Sequence, residues 1–164
     1  MQKLIEQLKR HEGFRAMPYR CTAGKLTIGY GRNIQDVPLT AGELQLIGAA
    51  SQAEVIKNGI TKESAEALLI LEVQRLHKEL AVHLPWFADL DEPRQAVLIN
   101  MAFNLGLGGL LGFNTTLGLI KMGAYVAAAQ QMMKTKWSKD VGDGPGGKWD
   151  RAEELAKQME AGQW

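Results

Sequence analysis

Apolar residues recur every three or four positions along several stretches of the chain, which is the spacing of one face of an α-helix. The first such stretch, residues 1–11, predicts an amphipathic helix. A longer one begins after Thr61, a helix-capping residue, and ends before Pro85. Its apolar stripe consists of Ala65, Leu68, Leu69, Val73, Leu76 and Leu80. Two well-separated helices are therefore expected in the first half of the chain.

Between these helices the chain is rich in turns. Residues 15–34 contain several glycines, and their best strand is predicted over residues 25–30. Thr40 and Glu43 have the Thr-x-x-Glu form of a capping box and predict the start of a short helix. This region is expected to form a small mixed lobe with a β-hairpin.

The second half of the chain is predicted to be helical. Asp91-Glu92-Pro93 has the form of a helix start, and shorter helices are expected from Asn114 onward. Residues 95–120 contain no charged residue, but their asparagines and glycines argue against a membrane span and favour a buried core helix. Residues 140–147, rich in glycine and aspartate, are expected to form a mobile surface loop.

Composition adds little to this picture but removes some classes of function. The chain has 164 residues, 46% of them apolar and 23% charged, which is ordinary for one soluble globular domain. Nineteen basic residues against eighteen acidic ones create no field that would attract nucleic acid or membrane lipid. The single cysteine cannot form an internal disulfide, which fits a reducing compartment. The amino terminus lacks the apolar core of a signal peptide.

The most informative stretch joins the first helix to the predicted hairpin. Glu12 stands where the helix ends, and Cys21 and Thr27 stand on the hairpin that is expected to fold back beside it. Three groups able to move or position a proton would then converge on one cleft, as in a hydrolase site. Gly29 and Gly31 are interpreted as backbone positions that need positive φ or a close approach.

Two other motifs do not match the sites that they suggest at first. His11-Glu12-Gly13-Phe14-Arg15 begins like the zinc-protease helix but has arginine where the second histidine ligand must stand. The glycine-rich residues 106–112 follow a predicted helix and lack the Lys-Ser/Thr ending of a phosphate loop. The sequence therefore predicts neither a metal nor a cofactor.

The spacing of Glu12, Cys21 and Thr27, running into Thr-Ile-Gly-Tyr-Gly, resembles the phage-type lysozymes, endolysin muramidases exemplified by the T-even phage enzyme. In that family the motif is usually Glu, Asp, Thr, with Cys replacing Asp in some members. The resemblance is weakest across residues 36–58 and 140–148. Further segments match family landmarks in the family's order, namely residues 98–106, 112–113, 136–137, 151–152 and 162–164.

The resemblance implies an α+β, mostly helical fold of the lysozyme type, as a single domain over residues 1–164. Residues 12–60 would form the small mixed lobe, residues 1–11 and 82–164 the helical lobe, and residues 61–81 a long connecting helix. Such an architecture predicts a cleft between the lobes, the usual place for an extended glycan strand.

The resemblance also implies roles for the motif residues. Glycoside cleavage needs an acid to protonate the departing oxygen and a second group to activate or place water. Glu12 would be the acid, with a pKa raised by partial burial, and Thr27 would orient water. A free thiol has a pKa of about 8.5, so three alternatives stay open for Cys21: base, nucleophile, or a group that only positions water.

Other family positions supply contacts and support. Arg151 matches an arginine that pairs with the catalytic glutamate and ties the lobes together. The family's sugar-contacting positions fall here on Asn33, Phe103, Asn104, Thr116 and Gln131.

The activity implied by the resemblance is that of a peptidoglycan muramidase. It would cleave the β-1,4 bond between N-acetylmuramic acid and N-acetylglucosamine with inversion, for lysis of the host bacterium. The alternatives are a lytic transglycosylase on the same fold and a non-catalytic peptidoglycan-binding or virion structural module, the latter prompted by the missing carboxylate at Cys21.

The expected partner is the peptidoglycan glycan strand, without nucleic acid and without stable membrane association. The family implies a monomer that accumulates in the host cytoplasm. A membrane-permeabilising partner, a holin, would then give it access to the wall.

Overall fold

The computed structural model describes residues 1–21, 24–141 and 151–164. By its contacts the chain divides into two compact units: an N-terminal unit of residues 2–74, and a C-terminal unit of Met1 with residues 75–164. The first helix lies in the N-terminal unit of this division, and the lobe boundaries expected from the sequence, with residues 1–11 in the helical lobe, stay a prediction. The structure is mostly helical with one small antiparallel sheet, which confirms the predicted α+β class.

The N-terminal unit contains a three-stranded sheet with strand order β1-β2-β3 and helices around it. Its strands are β1 (Arg15–Arg20), β2 (Leu26–Gly29) and β3 (Arg32–Asn33). Its helices are α1 (Gln2–Glu12), α2 (Ala41–Ile47), α3 (Gln52–Asn58) and the first part of α4 (Lys62–His83).

Local capping bonds explain where these helices begin. The Thr40 hydroxyl accepts from the backbone N–H of Glu43 at 3.2 Å, and the Glu43 carboxylate accepts from the backbone N–H of Thr40 at 2.8 Å. This reciprocal pair is the capping box that the sequence predicted for α2. Thr61 caps α4 in the predicted way, its hydroxyl accepting from the backbone N–H of Ser64 at 3.1 Å.

A small apolar core positions the hairpin within the N-terminal unit. The buried members are Ile28, Ile34, Leu39, Val55 and Leu68. Gly29 lies so close to α4 that a Cβ there would approach the Ala65 Cβ to 3.0 Å, and its φ is +65°. Gly31 has φ +79°. Both glycines thus adopt the backbone conformation that the sequence analysis expected, and Gly29 also allows the close approach to α4.

The C-terminal unit is entirely helical in its described part, with α10 packed against α8 and α5 and with α7 packed against α8. After the rest of α4 come a 3-10 helix (Pro85–Asp89), α5 (Glu92–Leu105), α6 (Leu107–Leu111), α7 (Asn114–Lys121), α8 (Tyr125–Met133), α9 (Lys136–Asp140) and α10 (Arg151–Ala161).

Helix α5 is the centre of this unit. Asp91 caps it, accepting from the backbone N–H of Arg94 at 2.9 Å, so the predicted helix start is confirmed. Seven consecutive residues, from Ala96 to Ala102, are buried, which explains the absence of charge that the sequence shows there. Within the described residues, every helix is too short or too polar to cross a membrane. Most of the loop predicted over residues 140–147 lies outside the described residues.

Candidate active site

Glu12 is the last residue of α1 and is half-buried. The helix ends there because Gly13 adopts φ +66°, a conformation that glycine reaches without steric cost, and its N–H donates to the Lys9 carbonyl at 3.1 Å. The Lys9 ammonium in turn donates to the Glu66 carboxylate of α4 at 2.9 Å. The end of α1 is thereby fixed within the N-terminal unit, and Glu12 with it.

One backbone carbonyl accepts hydrogen bonds from both of the other motif residues, Cys21 and Thr27. The carbonyl of Lys25 accepts from the Cys21 backbone N–H at 3.0 Å and from the Thr27 hydroxyl at 3.0 Å. Thr27 is buried, and Cys21 is half-buried. Because the single hydroxyl hydrogen of Thr27 is committed to this carbonyl, its oxygen can act toward a water only as an acceptor.

Tyr19 is a further residue of the hairpin, which sequence reasoning did not select. In the antiparallel register Tyr19 is directly opposite Thr27, which places the two side chains on the same face of the hairpin. Burial raises the pKa of the Tyr19 phenol most, and the negative charge of Glu12 raises it further; the positive charge of Arg15 opposes this in part, and Cys21 adds the smallest upward effect. Glu12 and Cys21 therefore both act electrostatically on one phenol.

Asn33 follows on β3, where it pairs with Thr27 in the sheet register. Its amide oxygen accepts from the backbone N–H groups of Gln35 and Asp36, both at 3.0 Å, and its amide nitrogen donates to the Asp36 carboxylate at 3.1 Å. The side chain thus stabilises the turn after β3. A sugar at this position would have to share the amide with these partners, and the predicted contact stays a prediction.

The C-terminal unit contains a pocket of about 600 Å³. Three of the predicted sugar contacts, Asn104, Thr116 and Gln131, line it. Phe103 is half-buried on α5 and is absent from the described lining residues. The structure therefore brings three of the four predicted helical contacts together in one pocket.

The pocket combines aromatic rings with amides and hydroxyls. The Trp137 indole N–H donates to the Asn104 amide oxygen at 3.1 Å and so orients that amide. The Phe113 ring meets Trp137 edge to face, with ring centroids 6.3 Å apart. Apolar rings with a few well-placed amides suit a ligand that carries both apolar faces and amide or hydroxyl groups.

Arg151 begins α10 and is buried. Its Nε and Nη2 donate to the Asn100 amide oxygen at 2.9 and 2.7 Å, and Nη2 reaches the Asn100 carbonyl at 3.3 Å. These bonds join α10 to the buried centre of α5. Sequence reasoning did not identify Asn100 as this partner, although a buried asparagine within an uncharged helix was a visible signal. The expected pairing of Arg151 with Glu12 stays a prediction.

The described residues hold no cluster of three or more His, Cys, Asp or Glu side chains that could bind a metal ion. The candidate functional groups described above belong to the hairpin in the N-terminal unit and to the pocket in the C-terminal unit.

The sequence was compared with protein-family models and with known proteins. A family model described as phage lysozyme matches residues 9–154. The pre-baseplate central spike protein Gp5 of Enterobacteria phage T4 is 30% identical over 141 residues, which are 82% of this chain but only 24% of that protein. This chain therefore spans about a quarter of the length of Gp5.

Two further relatives match over most of their own length. An endolysin of Acyrthosiphon pisum secondary endosymbiont phage 1 is 28% identical over 142 residues, covering 84% of this chain and 79% of the endolysin. Probable T4-type lysozyme 1 of Dictyostelium discoideum is 28% identical over 144 residues, covering 81% of this chain and 83% of that protein.

Proposed function

Since this chain belongs to the phage lysozyme family and is a glycoside hydrolase of the lysozyme type, we propose that it hydrolyses the β-1,4 bond between N-acetylmuramic acid and N-acetylglucosamine in peptidoglycan. The observation that carries this proposal is the hairpin site. The Lys25 carbonyl accepts from both the Cys21 backbone N–H and the Thr27 hydroxyl, and Glu12 ends the helix that leads into this hairpin.

Glu12 is the general acid in this proposal. Its carboxyl gives a proton to the glycosidic oxygen as the bond from that oxygen to the anomeric carbon breaks. Positive charge then develops on the sugar, and Glu12 is left as a carboxylate. The position of Glu12 at the bonded end of α1 supports this role, because a general acid must be held within hydrogen-bond reach of the leaving oxygen.

Thr27 and Cys21 supply the water. Water donates one hydrogen bond to the Thr27 oxygen, which has no hydrogen of its own left to offer, and gives its other proton to the Cys21 thiolate as its oxygen bonds to the anomeric carbon. Attack from the side opposite the leaving group inverts the anomeric centre. Since a thiol ordinarily has a pKa of about 8.5, only a small fraction is ionised at neutral pH, and the reacting form of the enzyme combines this thiolate with a protonated Glu12.

The pocket of the C-terminal unit is proposed to bind the glycan strand. Amide and hydroxyl groups from Asn104, Thr116 and Gln131 suit the N-acetyl and hydroxyl groups of these sugars. Phe103 and Asn33 are proposed as further contacts by their match to the family pattern.

The biological setting follows from the family rather than from the site. We propose a monomer that accumulates in the host cytoplasm and reaches the wall after a holin has permeabilised the inner membrane. The expected partner is the peptidoglycan glycan strand, without nucleic acid and without stable membrane association.

The experiment is a turbidity assay on outer-membrane-permeabilised bacteria, with mass spectrometry of the released material. Hydrolysis predicts reducing N-acetylmuramic acid ends, and the Glu12→Gln variant should release almost none. The matched control is Glu6→Gln, an exposed glutamate on the same helix, which should behave like the wild type.

The same assay separates the rival functions. Material ending in 1,6-anhydro-muramic acid would identify a transglycosylase and overturn the proposal. Binding to walls without release of any soluble fragment would identify a binding module and overturn it as well.

A further inference from the structure

The hairpin presents a fourth polar group beside the three of the family motif. Side chains alternate along a strand, so Tyr19 and Cys21, two residues apart, are directed to the same face where the strand pairing continues through the Cys21–Lys25 bond. Thr27 is opposite Tyr19 in the register and shares that face. The backbone therefore gathers a phenol, a thiol and a hydroxyl at one place.

We propose that Tyr19 is a positioning residue for the reaction, with its phenolic O–H acting as a fixed neutral donor toward the negative charge that passes between Cys21 and Glu12. This inference rests on the proposed function. It goes beyond the family motif, whose three members do not include the tyrosine.

The charge balance of the reaction explains why such a donor helps. Before the step the thiolate of Cys21 carries the negative charge and Glu12 holds its proton. Afterwards Cys21 holds the proton taken from water, and Glu12, having protonated the leaving oxygen, carries the charge. A donor held on the hairpin face of Cys21, and subject to the charge of Glu12, stabilises this transfer without reorganising, which is how preorganised hydrogen-bond donors accelerate reactions.

The phenol is suited to donate rather than to titrate. Burial, together with the charges of Glu12 and Cys21, raises the pKa of Tyr19, so its O–H persists over the pH range in which a thiol ionises. The Arg15 guanidinium carbon lies 4.4 Å from the ring centroid and holds the ring by a cation–π contact.

Neighbouring charged groups are engaged elsewhere. Arg20 donates to the Gly24 carbonyl at 2.7 Å, and the Lys25 ammonium donates to the Asp36 carboxylate at 3.0 Å. The contact of β1 with the α3 region runs through the Ala16 carbonyl, which accepts from the Ile60 N–H at 2.9 Å. Among the described residues, the charged groups that act on Tyr19 are therefore Glu12, Cys21 and Arg15.

The first test is Tyr19→Phe, which keeps the ring and removes the donor. We expect kcat to fall about tenfold with KM unchanged, as for the loss of one hydrogen bond to a developing charge. Alkylation of Cys21 by iodoacetamide should also need a higher pH to reach the wild-type rate, because the thiolate loses a hydrogen-bond donor. The matched control is Tyr125→Phe, whose half-buried ring likewise lies under an arginine, with Arg94 3.7 Å from its centroid.

A second measurement does not depend on activity. The phenol of Tyr19 is titrated by NMR in the wild type and in Glu12→Gln, where removal of a negative charge should lower its pKa. Unchanged titration of Tyr19 in Glu12→Gln would overturn the inference. So would a Tyr19→Phe enzyme with the turnover and alkylation profile of Tyr125→Phe.

The two proposals fail in different ways. If Glu12→Gln retains wild-type turnover, the proposed function itself is wrong. If Glu12→Gln is inert while Tyr19→Phe matches its control, only the role of Tyr19 is wrong. Thermal melting of Tyr19→Phe checks that any loss of kcat occurs in a folded protein, and the Tyr19 titration decides the question if the variant does not fold.

Discussion

The two units hold their polar groups in different ways. In the N-terminal unit the backbone does so: the Lys25 carbonyl accepts from both Cys21 and Thr27, and the sheet register sets Tyr19 opposite Thr27. In the C-terminal unit side chains hold one another, as in the bond from Trp137 to Asn104. The difference predicts that side-chain changes on the hairpin alter the rate in an intact fold. Changes in the C-terminal unit should alter binding or stability instead.

The largest expected effect is a loss of kcat on changing a residue of the N-terminal unit. Glu12→Gln removes the proposed general acid and should lower kcat by a factor of about a hundred to ten thousand, while wall binding and melting temperature stay near wild type. Steady-state turnover and wall pull-down measure the two properties separately. A variant that lost wall binding together with turnover would show that Glu12 does not act in chemistry alone.

Loss of the buried hydrogen bonds between Arg151 and Asn100 should lower the stability of the C-terminal unit. Asn100→Leu leaves the guanidinium of Arg151 without its amide acceptor and should lower the free energy of unfolding by about 2–3 kcal/mol. Denaturant unfolding checks this. The control is Glu153→Gln, an exposed position on α10, the helix of Arg151, and its stability should differ little from that of the wild type. Equal stability of the two variants would contradict the account.

A smaller effect with a defined pH dependence is expected at α2. Burial would raise the pKa of Glu43, but the hydrogen bonds from Thr40 and the charge of Arg32 lower it overall. A carboxyl whose pKa is lowered on folding stabilises the protein above its unfolded pKa, and this stability is lost as pH falls through the folded pKa. Glu43→Gln should therefore cost about 1–2 kcal/mol at neutral pH.

Unfolding curves at several pH values measure this dependence. The difference between Glu43→Gln and the wild type should shrink as the solution becomes more acidic than about pH 4, near the ordinary pKa of a glutamate. Asp89→Asn, at an exposed position of the 3-10 helix, is the control and should change stability little at any pH. A difference at Glu43 that did not vary with pH would contradict the ionic origin of the effect.

The smallest effect sharpens the assignment of binding to the C-terminal pocket. Gln131→Ala should raise KM about three- to tenfold and leave kcat unchanged, because the one or two hydrogen bonds proposed for this amide would act equally on substrate and transition state. Gln130→Ala, the exposed neighbour on α8, is the matched control. A fall in kcat with unchanged KM would mean that Gln131 acts in the chemical step and not in substrate binding.

Local sequence signals predicted much of the fold because their causes are local. The capping box of Thr40 and Glu43 and the cap at Asp91 involve residues three apart, so the chain itself displays them. Strand β1 was not predicted as a strand, since it contains Pro18 and is mostly exposed, which hides the alternation of buried and exposed positions. Helix α3 lies in the region where the family resemblance is weakest.

The candidate site was predicted in its residue types but not in its connections. Glu12, Cys21 and Thr27 stand out by spacing, whereas the role of the Lys25 carbonyl depends on a turn geometry that the side chains do not reveal. The bond between Arg151 and Asn100 joins residues 51 apart and requires the packing of two helices. Tyr19 was identified as a candidate site residue only from the strand register, which sets it opposite Thr27. Non-local contacts are therefore the part that sequence patterns leave undetermined.

The central claim is that water, held by Thr27 and deprotonated by Cys21, attacks the sugar directly. Proton NMR of the first reducing sugar formed, read before mutarotation, tests this claim most directly. Inversion predicts that the new reducing end of N-acetylmuramic acid appears first as the α-anomer. First appearance of the β-anomer would mean retention through a covalent sulfur intermediate, and would contradict the account.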